Sequence, residues 1–249
     1  MDPIAAVLFD LDDTLLDTGT AWRLGVARLV AERASGAVPL AVAAAAWDAA
    51  FPFWFEEYLR GRISLAGSRT GRVRQWADAV GVSVPRGEEL AWFDTYVEGY
   101  RQGWALFPDA RPALAALASL PLGLVTNGDS ALQREKVAAL GLDAALDVVL
   151  VSSEVGPPKP EPDIFLAAAA RLGVQPRHCL MVGDRLERDI VGALAAGMGA
   201  AWLRRPGGPG SGTVPPADLV GQFRTIGSLH EVPALAGVAP GPAAGGEPG

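Results

Sequence analysis

A single cysteine, Cys179, stands in 249 residues, so neither an internal disulfide nor a cysteine-built zinc site can form. Histidine is nearly as scarce. His178 and His230 are the only two, too few for a histidine-based metal centre. No apolar run is long enough to cross a bilayer, and the N-terminus lacks the basic, apolar and small-residue succession of a secretion signal. The expectation is a soluble, cytoplasmic chain with no membrane partner. Basic residues are in deficit: the formal charge is −7, residues 14–107 balance ten arginines with ten acids, and the rest of the chain carries the excess. A nucleic-acid partner needs a basic footprint that is absent here. Among the cations lysine is rare, with nineteen arginines to two lysines.

What is present is a rhythm. Half the residues are hydrophobic, and short apolar runs recur at 4–12, 122–128, 146–154, 178–184 and 199–204, which read as buried strands. Between them "ARPALAALASL", "SALQREKVAALG", "PDIFLAAAARLG" and "LERDIVGALAAG" show helical periodicity, three of them finishing at a glycine suited to a left-handed cap. Alternation of strand and helix predicts an α/β fold with a parallel sheet covered on both faces. Residues 14–107 break the rhythm and read as helices only, over 20–34, 39–59 with a break at Pro52, 63–80 and 87–103. Six of the seven tryptophans fall there. The expected organisation is a core of residues 1–13 and 108–238, an inserted helical domain over 14–107, and a Gly/Pro-rich disordered tail over 239–249.

In an open α/β sheet ligands bind beyond the carboxyl ends of the strands, and polar residues collect there: Asp10 and Asp12, Thr126 and Asn127, Asp184, with Lys159 in a loop. Two carboxylates about 4 Å apart repel by roughly 4 kcal/mol at an effective dielectric near 20, so the cluster requires water, a partner or a metal ion. Asp10 is a candidate carboxylate nucleophile. Asp12 lies two residues on, on the same side of an extended strand, and can act as general acid and then base. With Asp184 these hard oxygen donors suit Mg²⁺. Thr126 offers a hydroxyl, and "TNGD" leaves backbone N–H groups at a helix start, where phosphate is favoured, although Asn-Gly is also a plain turn signal. Lys159, flanked by prolines in "GPPKPEP", offers a point charge for a phosphoryl group.

Four stretches in order, "DLDDT" (10–14), "VTNG" (125–128), "GPPKPEPDIF" (156–165) and "MVGDRLERDI" (181–190), resemble the motifs of the haloacid dehalogenase superfamily. The likeness is to its phosphatases with a helical cap after the first motif, and "TNGDSALQREKVAALGL" and "MVGDRLERDIVGALAAGM" look most like the N-acylneuraminate-9-phosphatase branch and its bacterial relatives. The resemblance implies a Rossmann-like core and a Mg²⁺-dependent phosphomonoesterase. Asp10 would form an aspartyl-phosphate and Asp12 would serve as acid and base. Mg²⁺ would be held by the Asp10 carboxylate, the Asp12 backbone carbonyl and Asp184. Thr126, Asn127 and Lys159 would hold phosphate, and Asp189 would orient the metal's surroundings or Lys159. Asp13, at a position often glycine in the family, receives no role. The partner expected is a small phosphorylated metabolite, such as a sugar phosphate, a nucleotide or phosphoglycolate, met by a monomer or homodimer. The alternatives on the same scaffold are a 2-haloacid dehalogenase, a sugar phosphomutase and a phosphate-binding module without turnover.

Overall fold

The computed structural model describes residues 2–34, 38–206, 208 and 213–238; the tail expected to be disordered lies outside them. The chain falls into two units, one running to Leu16 and resuming at Leu106, the other Asp17–Ala105. Strand β1 (Ala6–Phe9) is wholly buried and opens the first unit. The second unit follows with the helices α1 (Thr18–Arg33), α2 (Leu40–Leu59), α3 (Leu65–Val80) and α4 (Glu89–Gln102). The first unit then continues through α5 (Ala110–Ala116), β2 (Leu122–Thr126), α6 (Ser130–Ala139), β3 (Val148–Val151), α7 (Ser152–Val155), α8 (Asp163–Leu172) and β4 (Cys179–Gly183). A π-helical turn, Leu186–Val191, runs into α9 (Gly192–Ala195), and β5 (Gly199–Leu203), β6 (Arg224–Ile226) and α10 (Val232–Leu235) complete it.

Among the described residues six strands form one parallel sheet, in the order β3-β2-β1-β4-β5-β6. This is the expected α/β, Rossmann-like sheet with an all-helical insertion, and it adds one strand the sequence did not announce. β6 has three residues, two of them exposed, too short for a period-two signal to register. The chain builds outward from β1 through β2 to β3, then crosses back to place β4 on the other side of β1. That reversal opens a crevice at the carboxyl ends of β1 and β4. Phe165 and Ile164 of α8 and Ile190 and Ala193 after β4 pack with Leu8, Val125, Met181 and Trp202 of the sheet, all essentially without exposure. Those contacts hold the crevice walls in place.

In the helical unit Trp47, Trp76, Trp92 and Tyr96 form an aromatic core, Trp47 meeting Trp76 edge-on at 6.0 Å. Helices α1 and α4 approach closely because Gly25 and Gly99 lack side chains; a Cβ at Gly99 would press on the Leu24 carbonyl at 2.7 Å. The break expected at Pro52 does not occur, and α2 runs through it. Proline costs a helix about 3 kcal/mol, and packing on both sides offsets it: Trp47 and Ala50 are buried before it and Phe51 stacks on Phe55 across it at 4.9 Å. Arg72 lays its guanidinium over Trp47 at 4.2 Å and Phe51 at 4.7 Å, and burial lowers its pKa to about 10. Among the described residues no helix is long and apolar enough to cross a membrane.

Candidate active site

The apolar run of β1 ends at Phe9, earlier than the sequence suggests. Asp10 still donates its N–H to the Val182 carbonyl at 2.9 Å, after which the chain turns. The Leu11 carbonyl accepts the N–H groups of Leu15 and Leu16 at 3.0 and 2.9 Å, and Asp13 takes a left-handed φ of 62°. Asp12 pairs as a bridge with Leu16 just before this turn, which closes the segment beyond it.

Lys159 stands at the centre. Its Nζ donates to Asp10 Oδ1 at 2.6 Å, to Asp189 Oδ1 at 2.6 Å and to the Val125 carbonyl at 2.8 Å. An ammonium has three protons, so all are used. Burial by itself disfavours the charged lysine, but the two carboxylates outweigh it and raise the pKa above the ordinary lysine value. Asn127 fixes the loop that carries this lysine: its Nδ2 donates to the Lys159 carbonyl and its Oδ1 accepts the Lys159 N–H, both at 2.9 Å. The Asn127 amide oxygen and one amide N–H are thereby engaged by the lysine's backbone.

Asp10, Asp184 and Asp189 converge, with a carboxylate oxygen from each lying within 4.8 Å of the others. Burial pushes the Asp10 pKa up to about 7; Lys159 opposes this, and Asp189 and Asp12 add to it. Asp184 is also raised, by burial first and then by the neighbouring charges of Asp189 and Asp10. Both Asp184 carboxylate oxygens are buried without a hydrogen-bond donor, the exposed Arg185 guanidinium standing 3.3 Å away. Asp189, in the π-helical turn, is spoken for at both oxygens, taking Lys159 on Oδ1 and the Arg185 N–H on Oδ2 at 2.9 Å. Buried carboxylates short of donors are what a hard dication satisfies, so the residues present fit a Mg²⁺ site.

The fourth carboxylate is held differently. Asp12 Oδ1 accepts from Lys136 Nζ at 2.6 Å and Oδ2 from Gln133 Nε2 at 2.9 Å. The same Gln133 nitrogen donates to Thr126 Oγ1 at 2.6 Å. Lys136 and Gln133 are buried in α6, and helical spacing alone gives neither of them a role. The available signal was lysine's rarity: the chain has two, and both end at these carboxylates.

A family model described as a haloacid dehalogenase-like hydrolase matches residues 4–197. The chain belongs to the haloacid dehalogenase-like hydrolases. This hydrolase is 34% identical over 208 residues to phosphoserine phosphatase of Thermus thermophilus, covering 83% of the chain and 76% of that protein. It is 32% identical over 239 residues to N-acylneuraminate-9-phosphatase of Rattus norvegicus, covering 93% of each. Among solved structures, the HAD-hydrolase YfnB from Bacillus subtilis bound to magnesium matches with a TM-score of 0.77 at 22% identity, over 94% of this chain and 99% of that one. At that identity the likeness is one of fold. The chain is an enzyme of this hydrolase family, and relatives it matches along most of their length are phosphatases.

Proposed function

We propose that this hydrolase is a Mg²⁺-dependent phosphomonoesterase acting on a small phosphorylated metabolite through an aspartyl-phosphate. The observation that carries the reading is the buried Lys159 ammonium bonded at once to Asp10 and Asp189, beside an Asp184 carboxylate without donors. A cationic anchor on the nucleophile and an acid set fitted to a dication together allow an anionic ester to approach carboxylates that would otherwise repel it.

Mg²⁺ would be held by the Asp10 and Asp184 carboxylates and the Asp12 backbone carbonyl, with Asp189 alongside; when bound, the ion neutralises charge on the transferring phosphoryl group. Lys159 engages Oδ1 of Asp10, leaving the other oxygen to attack phosphorus. The ester P–O bond breaks as the new P–O bond forms, and Asp12 gives its proton to the departing alkoxide. Asp12 then takes a proton from the water that attacks the aspartyl-phosphate, which releases phosphate and restores Asp10. Thr126 donates its hydroxyl to a phosphoryl oxygen, and the helical insertion, read as a cap, governs which alcohol is accepted.

Phosphate release from a panel of phosphorylated metabolites with Mg²⁺ tests the reading. Wild type should turn over at least one ester, EDTA should stop it, and Asp10→Asn should lower kcat at least about a thousandfold while the fold persists by circular dichroism. Undiminished turnover by Asp10→Asn would remove the aspartyl-phosphate. Chloride released from chloroacetate would point to a dehalogenase, and a phosphorylated second product to a phosphomutase.

A further inference from the structure

The chain uses arginine for nineteen of its twenty-one cations, yet a lysine is buried at position 136. Burying an ammonium costs several kcal/mol unless it is well paired. Helix α6 has other anchors: Asp129 caps its start by accepting the Leu132 N–H at 3.2 Å, and Val137 is buried. The lysine points instead at Asp12, whose side chain is 31% exposed while that of Lys136 is 4% exposed. Gln133 lies three residues earlier, hence on the same helix face, and takes the other oxygen of the same carboxylate. Two donors from one rigid face hold both oxygens of Asp12, which fixes the plane of the carboxylate as well as its position.

Gln133 has a second effect. Its Nε2 donates to Thr126 Oγ1, so the threonine oxygen serves as acceptor toward the glutamine. The hydroxyl hydrogen is thereby left for another acceptor, and Thr126 faces a ligand as a donor. A phosphate oxygen needs a donor.

We propose that Lys136 and Gln133 are positioning residues. They hold the Asp12 carboxylate at the ester oxygen for proton transfer, and Gln133 sets Thr126 as a donor to the phosphoryl group. The proposal rests on the phosphomonoesterase reading above and adds the device that aligns its proton donor. Its consequence depends on the alcohol that leaves. A nitrophenolate departs without a proton and needs little from Asp12, whereas a benzyl alkoxide needs that proton in the transition state.

The experiment compares kcat/KM for 4-nitrophenyl phosphate, phenyl phosphate and benzyl phosphate with Mg²⁺, in wild type, Lys136→Met, Lys136→Arg and Gln133→Met. This ratio reports the steps through formation of the phosphoenzyme, so slow dephosphorylation does not blur it. Lys136→Met is expected to lose about a hundredfold on benzyl phosphate, the scale of general acid catalysis, and under about fivefold on 4-nitrophenyl phosphate, with phenyl phosphate between. Lys136→Arg, which keeps a donor, should recover part of the benzyl rate. Should Lys136→Met fail to fold, Gln133→Met carries the same comparison, with an added rise in KM on every ester from the lost Thr126 orientation. Losses equal across the three esters, or none, overturn the positioning role and leave the phosphomonoesterase intact. A wild type that hydrolyses no ester with Mg²⁺ overturns both.

Discussion

Asp184 shows most directly why the acid cluster suits a cation. Its two oxygens are buried and receive no hydrogen bond; burial and the charges of Asp189 and Asp10 raise its pKa, and burial, against Lys159 and with Asp189 and Asp12, raises that of Asp10. A carboxyl that binds its proton more tightly when folded adds stability below its unfolded value, 3.8 here, and loses that contribution as pH rises through its folded value, about 7 for Asp10. The metal-free protein should therefore lose thermal stability between about pH 4 and pH 8 through these two groups. Mg²⁺ added near pH 8 should raise Tm, because a ligand that binds only the folded state stabilises it. Asp184→Asn removes one like charge, so its Tm in EDTA should exceed that of wild type while its response to Mg²⁺ shrinks. Calorimetry in EDTA and in Mg²⁺ measures both, and a wild-type Tm indifferent to Mg²⁺ would count against the site. Asp10, Asp184 and Lys159 could be read from the sequence because each closes an apolar run or stands in a constrained loop. Gln133 could not, since a glutamine on a helix usually faces water, and Lys136 is marked only by lysine's rarity in the chain. Only contact across 121 and 124 residues gives them meaning.

Elements aim these residues, and β4 with the turn after it shows how. Gly183 ends β4, and a Cβ there would overlap the Asp189 carboxylate. The absence of a side chain lets the π-helical turn bring Asp189 onto Lys159, and such turns recur at functional sites. Gly183→Ala should therefore displace Asp189, lower kcat more than tenfold and cost about 1–3 kcal/mol of stability; unchanged turnover would show that Asp189 is not needed where it sits. The sequence marks Gly-Asp after "LMV" as a strand end but gives no hint of a π turn, because a hydrogen bond spanning one more residue leaves no periodic trace over six residues. In α2 the local rule for proline is overridden by packing, a tertiary effect that a local rule does not contain. Strand β1 stops at Phe9 because the Leu11 turn competes for the backbone, although the letters beyond it read as strand.

At the scale of the molecule the sheet unit is closed by a clasp of residues far apart in order. Arg205 makes two 2.9 Å bonds to the Asp109 carboxylate and one of 3.0 Å to the Thr14 carbonyl. Asp109 also accepts from the Ser228 hydroxyl at 2.7 Å and the Leu229 N–H at 2.9 Å. Burial works to raise the Asp109 pKa, but these bonds outweigh it and hold it at about 2, below the ordinary aspartate value of 3.8. A depressed carboxylate contributes stability above its unfolded value and loses it as pH falls toward the folded one. The difference corresponds to roughly 2 kcal/mol, lost between about pH 4 and pH 2. Asp109→Asn should lower the denaturation midpoint at neutral pH and flatten this acid limb; equal acid sensitivity in mutant and wild type, followed by urea titration, would dismiss the clasp as a contributor.

The sequence by itself determined where strands and helices alternate, that a helical stretch interrupts them, and which aspartates close the strands, because burial and turn formation act on neighbours in the chain. Tertiary structure alone decided that the two lysines take different carboxylates, that the Asn127 amide serves a loop, and that Arg205 reaches Asp109. Those pairings follow from strand register and helix phase, which bring together side chains that local spacing leaves unrelated.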